Sequence, residues 1–320
     1  MSNYTQMPQA QVFLNNTCNL SCHFCMNKYV KDDSYNYQYP DLIDNSKRRV
    51  GETKEIIKAI DFLILCGVTR IELGTTIGEP LQHPFSELER IFNYIESREE
   101  IEYYFFYTNL TSLTEQHVEL FSRSKKFNIK ISCYGASKKQ FLVQTQQDKY
   151  VQFIKNLKLL TNIKRDQKMK VLLAFRAPIK TIVERAGMER MKKILLDCDV
   201  IQASFEQTSE HFDWKRTINH KEPNSRIKPN THTTGHCGMI LTDCGILSNG
   251  DFTMCAWLDL YGDNVVGNIN VNTVDEIMSG RERIIQEQNL GSFNNICKFC
   301  TLYTPSRGVS TNDPGGFNGD

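Results

Sequence analysis

The sequence predicts an α/β fold: a partial, TIM-like (β/α)6 barrel followed by a small α+β unit. Short apolar runs alternate regularly with segments of helical period from about residue 10 to 205, the pattern of a parallel sheet with helices outside it. That alternation stops in the polar stretch 207–236, after which a hairpin pattern begins. Six strand–helix units are too few for a closed eight-fold barrel, so the barrel is expected to be partial.

The first strand is expected at QVFL, residues 11–14. The polar, tyrosine-rich stretch from Tyr29 to Asp44 reads as a long loop. GETKEIIKAIDFLILC, residues 51–66, carries apolar residues at helical spacing, and Gly67 suits the helix end. TRIELGTT is the second strand. EYYFFYT, FNIKISCY, MKVLLAFRA and DVIQASFE are the next four, with helices near 85–98, 114–123, 137–160 and 184–196. In a barrel of this kind the working residues lie at the C-terminal ends of strands. EPNSRIKPNTHTTGH belongs to a connection, and GMILTDCGILSNGDFTMC has two runs around Ser248-Asn249-Gly250-Asp251, a hairpin signal. A helix follows near 273–288, and PSRGVSTNDPGGFNGD has no apolar pattern and is expected to be disordered. The expected divisions are therefore 8–206, 207–234, 235–304 and 305–320, with no internal repeat.

Composition narrows the function classes. With 320 residues and 40% hydrophobic content the chain can bury a large core. Basic and acidic residues balance, 38 against 37, which argues against a nucleic-acid partner. No apolar run approaches the roughly 20 residues of a membrane span, and MSNYTQMPQAQVF lacks the features of a signal peptide. A cytoplasmic protein is expected. In that reducing setting eleven cysteines point to metal binding rather than disulfides. Cys66, Cys133 and Cys198 stand alone in apolar segments and read as core.

Cys18, Cys22 and Cys25 have the spacing Cys-x3-Cys-x2-Cys just after the first strand. Three thiolates on one tight loop can hold three irons of a [4Fe–4S] cluster and leave the fourth open; a zinc knuckle or plain buried cysteines are the alternatives. TCNLSCHFC, with Phe24 before the last cysteine, resembles the signature loop of the radical S-adenosylmethionine superfamily. IGEP, from Ile77 to Pro80, is similar to the family's Gly-Gly-Glu-Pro motif, with Ile77 in place of the first glycine. The resemblance implies a [4Fe–4S] cluster and S-adenosylmethionine as cofactors. Gly78 and Glu79 are implied to bind the methionine ammonium group. Asn109 in YTNL matches the family's Thr-Asn-Gly strand end, with Leu110 at the glycine position. Ser132 stands where the family has a ribose-binding residue, and Arg176 is a candidate for the methionine carboxylate. The resemblance covers roughly residues 10–205.

Cys237, Cys255 and the pair Cys297-x2-Cys300 form a second group. Four thiolates saturate an iron–sulfur cluster, and on chemistry alone a zinc ribbon fits equally well. The pattern, together with GDFTMCAWLDLYGDNVVGNI, resembles the twitch domain, a shortened SPASM domain, over roughly 235–303. That resemblance implies one auxiliary [4Fe–4S] cluster. Cys244 reads as core filling or as a hydrogen-atom donor or alternative ligand. Asp259 and Tyr134 read as a surface acid and a loop tyrosine, or as base and substrate contact.

The expected activity is cleavage of S-adenosylmethionine to a 5′-deoxyadenosyl radical and net oxidation of a small polar, sugar- or cyclitol-like metabolite. A flavodoxin- or ferredoxin-type protein is the expected electron donor. The barrel begins almost at residue 10, so no leader-binding module is expected. Maturation of a ribosomal peptide, by crosslinking or epimerisation, is the alternative. A non-catalytic zinc-binding interaction protein is the reading from another class.

Overall fold

A computed structural model of the chain describes residues 7–23, 25, 50–74, 77–207, 235–255, 259, 262, 264–294 and 297. The expected loop after Cys25, the connection from 208 to 234, the C-terminal tail, Phe24 and Cys300 lie outside the described residues.

In chain order the elements are β1 (Gln9–Val12), α1 (Thr53–Leu65), β2 (Arg70–Leu73), a 3-10 turn (Pro80–Gln82), α2 (Phe85–Glu96), β3 (Tyr103–Thr108), α3 (Glu115–Arg123), β4 (Phe127–Cys133), α4 (Lys138–Thr145), α5 (Tyr150–Leu160), β5 (Met169–Phe175), α6 (Ile182–Leu196) and β6 (Ile201–Gln207). After the connection come α7 (Met239–Thr242), β7 (Asp243–Ile246), β8 (Asp251–Thr253), β9 (Val265–Asn268) and α8 (Val274–Asn289). The order from β1 to β6 is that of a partial TIM-like (β/α)6 barrel, an α/β fold with parallel strands.

Three expectations are corrected. The helix read over 137–160 is two helices, because Gln146 turns to φ 56° and ends α4. Strand β1 starts two residues earlier than QVFL. The first arm of the hairpin opens with the short helix α7, and a third strand, β9, pairs with β8.

Packing groups the chain into two units: 1–16 with 29–76 and 212–311, and 17–28 with 77–211 and 312–320. This differs from a division in sequence order. In the first unit β1 lies between β2 and β7, parallel to both, so the N-terminal strand is bound to the C-terminal segment by its backbone ladder. Strands β8 and β9 continue antiparallel from β7. Helix α1 buries Ile56, Ala59, Ile60 and Leu63 and packs on β1.

In the second unit β3, β4, β5 and β6 are parallel neighbours. Alternation puts Tyr104 and Phe106 of β3 on one face. There they meet Phe92 of α2, Phe121 of α3 and Phe127 of β4, with centroids 4.8 Å apart for Phe92–Phe127 and 4.6 Å for Phe121–Phe127. This aromatic core holds β3 and β4 in register, and their C-terminal ends carry the site.

Candidate active site

The cysteine loop is anchored by a helix end. The last carbonyls of an α-helix have no partner within the helix. Here Gln144 and Thr145, at the end of α4, accept hydrogen bonds from the backbone N–H groups of His23 and Ser21, both at 3.1 Å. The His23 ring nitrogen Nδ1 also lies 3.2 Å from the Gln144 oxygen. The break at Gln146 therefore exposes the carbonyls that fix the loop. Cys25 N–H closes a turn on the Cys22 carbonyl at 3.0 Å.

Cys22 is buried, Cys25 half-buried and Cys18 exposed at its outer surface. Desolvation by the surrounding protein pushes the Cys18 thiol up to about 12, with Glu79 and Cys25 adding to the rise. Burial raises Cys22 further, again with help from Cys25 and Cys18. Burial, with repulsion from neighbouring negative charge, keeps Cys18 and Cys22 protonated until a cation takes up the thiolate charge, so metal loading releases protons. Two donors already face the Cys18 sulfur: Leu20 N–H at 3.5 Å and Asn109 Nδ2 at 3.6 Å.

Asn109 also donates to Asn19 Oδ1 at 3.1 Å, and its own Oδ1 accepts from Thr111 N–H at 2.9 Å. Leu110, where the related motif has glycine, takes φ 62°. A branched side chain there costs roughly 1–2 kcal/mol. The turn is held by Leu110 N–H to Thr108 Oγ1 at 2.9 Å and by Asn156 Nδ2 to the Leu110 carbonyl at 2.8 Å. Gly78 has φ 94° and must be glycine. Ile77 is not among the positive-φ residues, which is why it is tolerated in place of the first glycine.

Glu79 is 2% exposed. Its backbone N–H reaches the Thr17 carbonyl at 2.6 Å, tying the motif to the start of the cysteine loop. Its carboxylate accepts from Thr108 Oγ1, Asn109 N–H at 2.7 Å and Leu81 N–H at 3.2 Å. Burial outweighs those donors and raises its pKa to about 7. Sequence reasoning missed Thr108 and Asn19, and the threonine of the same strand-end motif was the available signal.

Ser132 and Arg176 stand at the ends of β4 and β5. Tyr134 is partly buried, and its phenol is hydrogen-bonded to Ser132 near Cys18, Cys22 and Arg176. Burial first, then the two cysteines, raise its pKa. Arg176 lies over the Tyr107 ring at 5.7 Å and 3.9 Å from Glu206. The structure thus brings Cys18, Cys22, Cys25, Glu79, Asn109, Ser132, Tyr134 and Arg176 into one unit.

The second cysteine group lies in the other unit. Gln288 of α8, 1% exposed, accepts from Cys237 N–H at 2.9 Å and donates to Cys297 Sγ at 3.5 Å. Asn264 Nδ2 reaches the same sulfur at 3.7 Å. Asp259 is buried rather than a surface acid, and Oδ2 accepts from Thr253 Oγ1 and from Asn264 N–H at 2.8 Å. Thr253 Oγ1 in turn accepts from Cys255 N–H at 3.2 Å. Asp259 thus braces the loop between β8 and β9. Replacing it by alanine should destabilise the protein by about 3 kcal/mol in chemical denaturation, since two hydrogen bonds to a charged acceptor are lost. Cys244 lies in β7, wholly buried, its thiol 3.8 Å from the Gln9 carbonyl. Burial, then Asp243 and Cys66, raise its pKa. Cys66 and Cys133 are buried and Cys198 is half-buried.

The sequence matches the family model of the Radical SAM superfamily over residues 12–175. The chain belongs to the radical SAM superfamily: it is an iron–sulfur enzyme that uses a [4Fe–4S] cluster and S-adenosylmethionine. No curated protein matches the sequence. Solved structures share the fold. Native anSMEcpe with bound AdoMet aligns with TM-score 0.59 and 15% identity over 92% of this chain and 87% of that one. Streptococcus suis SuiB bound to S-adenosylmethionine aligns with TM-score 0.53 and 14% identity over 93% and 71%. BtrN in complex with AdoMet and 2-DOIA aligns with TM-score 0.50 and 15% identity over 92% and 93%.

The donor set fits the cluster. Three cysteines on one loop, Cys18, Cys22 and Cys25, can each take a separate iron of a cubane, and Leu20 N–H and Asn109 Nδ2 are aimed at the Cys18 sulfur. Among the described residues no helix is long and apolar enough to cross a membrane.

Proposed function

We propose that this enzyme is a radical S-adenosylmethionine oxidoreductase with an auxiliary [4Fe–4S] cluster on Cys237, Cys255, Cys297 and Cys300, in a twitch-type domain over 235–304. Its substrate is a small polar, sugar- or cyclitol-like metabolite. One observation carries the auxiliary assignment: Gln288 bonds both the Cys237 backbone and the Cys297 sulfur. An N–H aimed at a sulfur stabilises a thiolate, and two N–H donors from Gln288 and Asn264 meet Cys297.

When bound, the cluster and S-adenosylmethionine supply a 5′-deoxyadenosyl radical that removes a hydrogen atom from substrate carbon. The chain's own residues hold the reactants. Cys18, Cys22 and Cys25 would hold the cluster, with Phe24 in their loop. Gly78 would let the chain approach closely, and Glu79 would receive the methionine ammonium. Asn109 and Ser132 would orient the adenosyl end, and Arg176 would pair with the carboxylate. Tyr134, bonded to Ser132, would order that serine. A flavodoxin- or ferredoxin-type protein supplies the electron. An auxiliary cluster held by Cys237, Cys255, Cys297 and Cys300 would supply an acceptor for the second electron of a two-electron oxidation.

BtrN, whose length this chain nearly spans, was solved with 2-DOIA, which supports a small substrate. A peptide substrate is the second reading, favoured by SuiB bound to precursor peptide SuiA and by anSMEcpe with Cp18Cys peptide. The ligand test counts iron in protein already lacking Cys18, Cys22 and Cys25. Cys237→Ala should lose the remaining cluster or leave it incomplete, whereas Cys244→Ala should retain it. The reverse pattern would overturn the ligand set, and zinc in place of iron would remove the electron acceptor.

A further inference from the structure

We propose that Asn19 is a positioning residue for electron entry: it holds the Asn109 amide so that one N–H stays on the Cys18 sulfur and raises the reduction potential of the cluster held there. This rests on the reading of Cys18, Cys22 and Cys25 as cluster ligands. The step concerned is the uptake of one electron from the donor protein, with no bond made or broken.

Cys18, Asn19, Asn109, Thr111 and Ser112 all belong to one packing unit. Asn19 follows Cys18 directly in the cysteine loop, and Asn109 follows the last residue of β3. The Asn109 amide nitrogen donates to the Cys18 sulfur at 3.6 Å and to Asn19 Oδ1 at 3.1 Å. Its Oδ1 accepts from Thr111 N–H at 2.9 Å and from Thr111 Oγ1 at 2.6 Å. Asn19 in turn donates through Nδ2 to Thr111 Oγ1 and to Ser112 Oγ, both at 2.9 Å. The two asparagines and Thr111 thus close a ring of hydrogen bonds between the cysteine loop and the turn after β3.

The ring fixes which way each amide points. Asparagine oxygen and nitrogen are assigned from their partners. Turning Asn109 over would set its oxygen against Asn19 Oδ1 and its NH2 group against the Thr111 N–H. Turning Asn19 over would set its NH2 group against that of Asn109. A single arrangement satisfies every donor, and in it an N–H faces the sulfur. Asn109 Oδ1 fixes the turn, which is how this residue would shape the adenosyl end, while both amide hydrogens serve the cysteine loop.

Leu20 N–H also meets the Cys18 sulfur, at 3.5 Å, but a backbone donor is there whatever the side chain. The Asn109 amide is a donor that depends on residue type. A hydrogen bond to a ligand sulfur draws charge off it and favours the reduced, more negative cluster. Groups that orient such a contact belong to the tuning of the metal as much as the ligands do.

The test is a redox titration of the full chain with its clusters, prepared without oxygen and followed by electron paramagnetic resonance. The signal of the radical cluster is the one missing from the protein lacking Cys18, Cys22 and Cys25. Asn109→Leu removes the donor and should make reduction about tenfold less favourable, ~59 mV lower for a one-electron couple. Asn19→Ala should shift the midpoint in the same direction by a smaller amount. The double variant should match Asn109→Leu alone, because Asn19 acts through Asn109. If Asn109→Leu does not retain iron, Thr111→Val reports instead: it should also lower the midpoint, and Thr111→Ser should restore it. A residue that only staples the loop would change iron retention or unfolding and leave the midpoint in place. An unchanged or raised midpoint in Asn19→Ala, additive shifts in the double variant, or iron loss from Asn19→Ala and Thr111→Val alike would overturn the inference. A signal that persists without Cys18, Cys22 and Cys25 would defeat the ligand reading beneath it.

Discussion

Replacing Cys18, Cys22 and Cys25 together by alanine should abolish formation of 5′-deoxyadenosine and leave the auxiliary iron in place. The physical reason is that the three thiols stand on one loop and are electrostatically coupled. The two cysteine groups lie in different packing units, so iron at Cys237, Cys255, Cys297 and Cys300 should survive. The measurement is chromatographic detection of 5′-deoxyadenosine beside iron and sulfide analysis. Undiminished cleavage would sink the assignment of the radical cluster, and simultaneous loss of all iron would sink the independence of the two sites.

Glu79→Gln should lower affinity for S-adenosylmethionine roughly ten- to a hundred-fold, since a charge-assisted hydrogen bond is worth about 1.5–3 kcal/mol. The carboxyl also imposes a pH dependence. Its pKa in the folded protein is about 7 against an ordinary 4.5, raised by burial. A carboxyl whose folded pKa is raised stabilises the fold at low pH, where it is neutral in both states. That contribution is lost as pH rises from the ordinary value through about 7. The shift corresponds to about 3 kcal/mol. Protein without ligand should therefore lose stability across this window, and Glu79→Gln should not. Affinity for S-adenosylmethionine should move the other way in the wild type, rising as Glu79 ionises to meet the ammonium group. Denaturation and equilibrium binding at several pH values check both. A wild-type affinity that is flat across the window would mean that the ammonium binds elsewhere.

Much of the site was legible because its chemistry is local. Three cysteines within eight positions and the Gly78-Glu79 pair lie on single turns, where spacing alone settles proximity. Asn19 is not legible, because its role depends on a contact with Asn109 across distant loops, and Thr108 is legible only through its place in the strand-end motif. Gln288 and Asn264 likewise look like ordinary polar residues until folding brings them to the Cys297 sulfur. Locally Asp259 reads as a surface acid or a base, since nothing in the sequence around it reveals that Thr253 and Asn264 enclose it. The break at Gln146 leaves no sequence signal, because a single residue turning to the left-handed region interrupts no hydrophobic period.

By itself the sequence determined the α/β class, through alternating strand and helix periods, and the family, through the cysteine loop and its companion motif. Those signals are short-range: periodicity reports which face of an element is apolar, and spacing reports which ligands share a turn. Only the tertiary structure decided that β1 lies between β2 and β7. Only there does the run Gln9 to Val12 become two faces, with Gln9 and Gln11 gathered beside Glu72 and Asp243. Strand neighbours far apart in sequence are chosen by the packing of the whole sheet, and no local pattern encodes that choice.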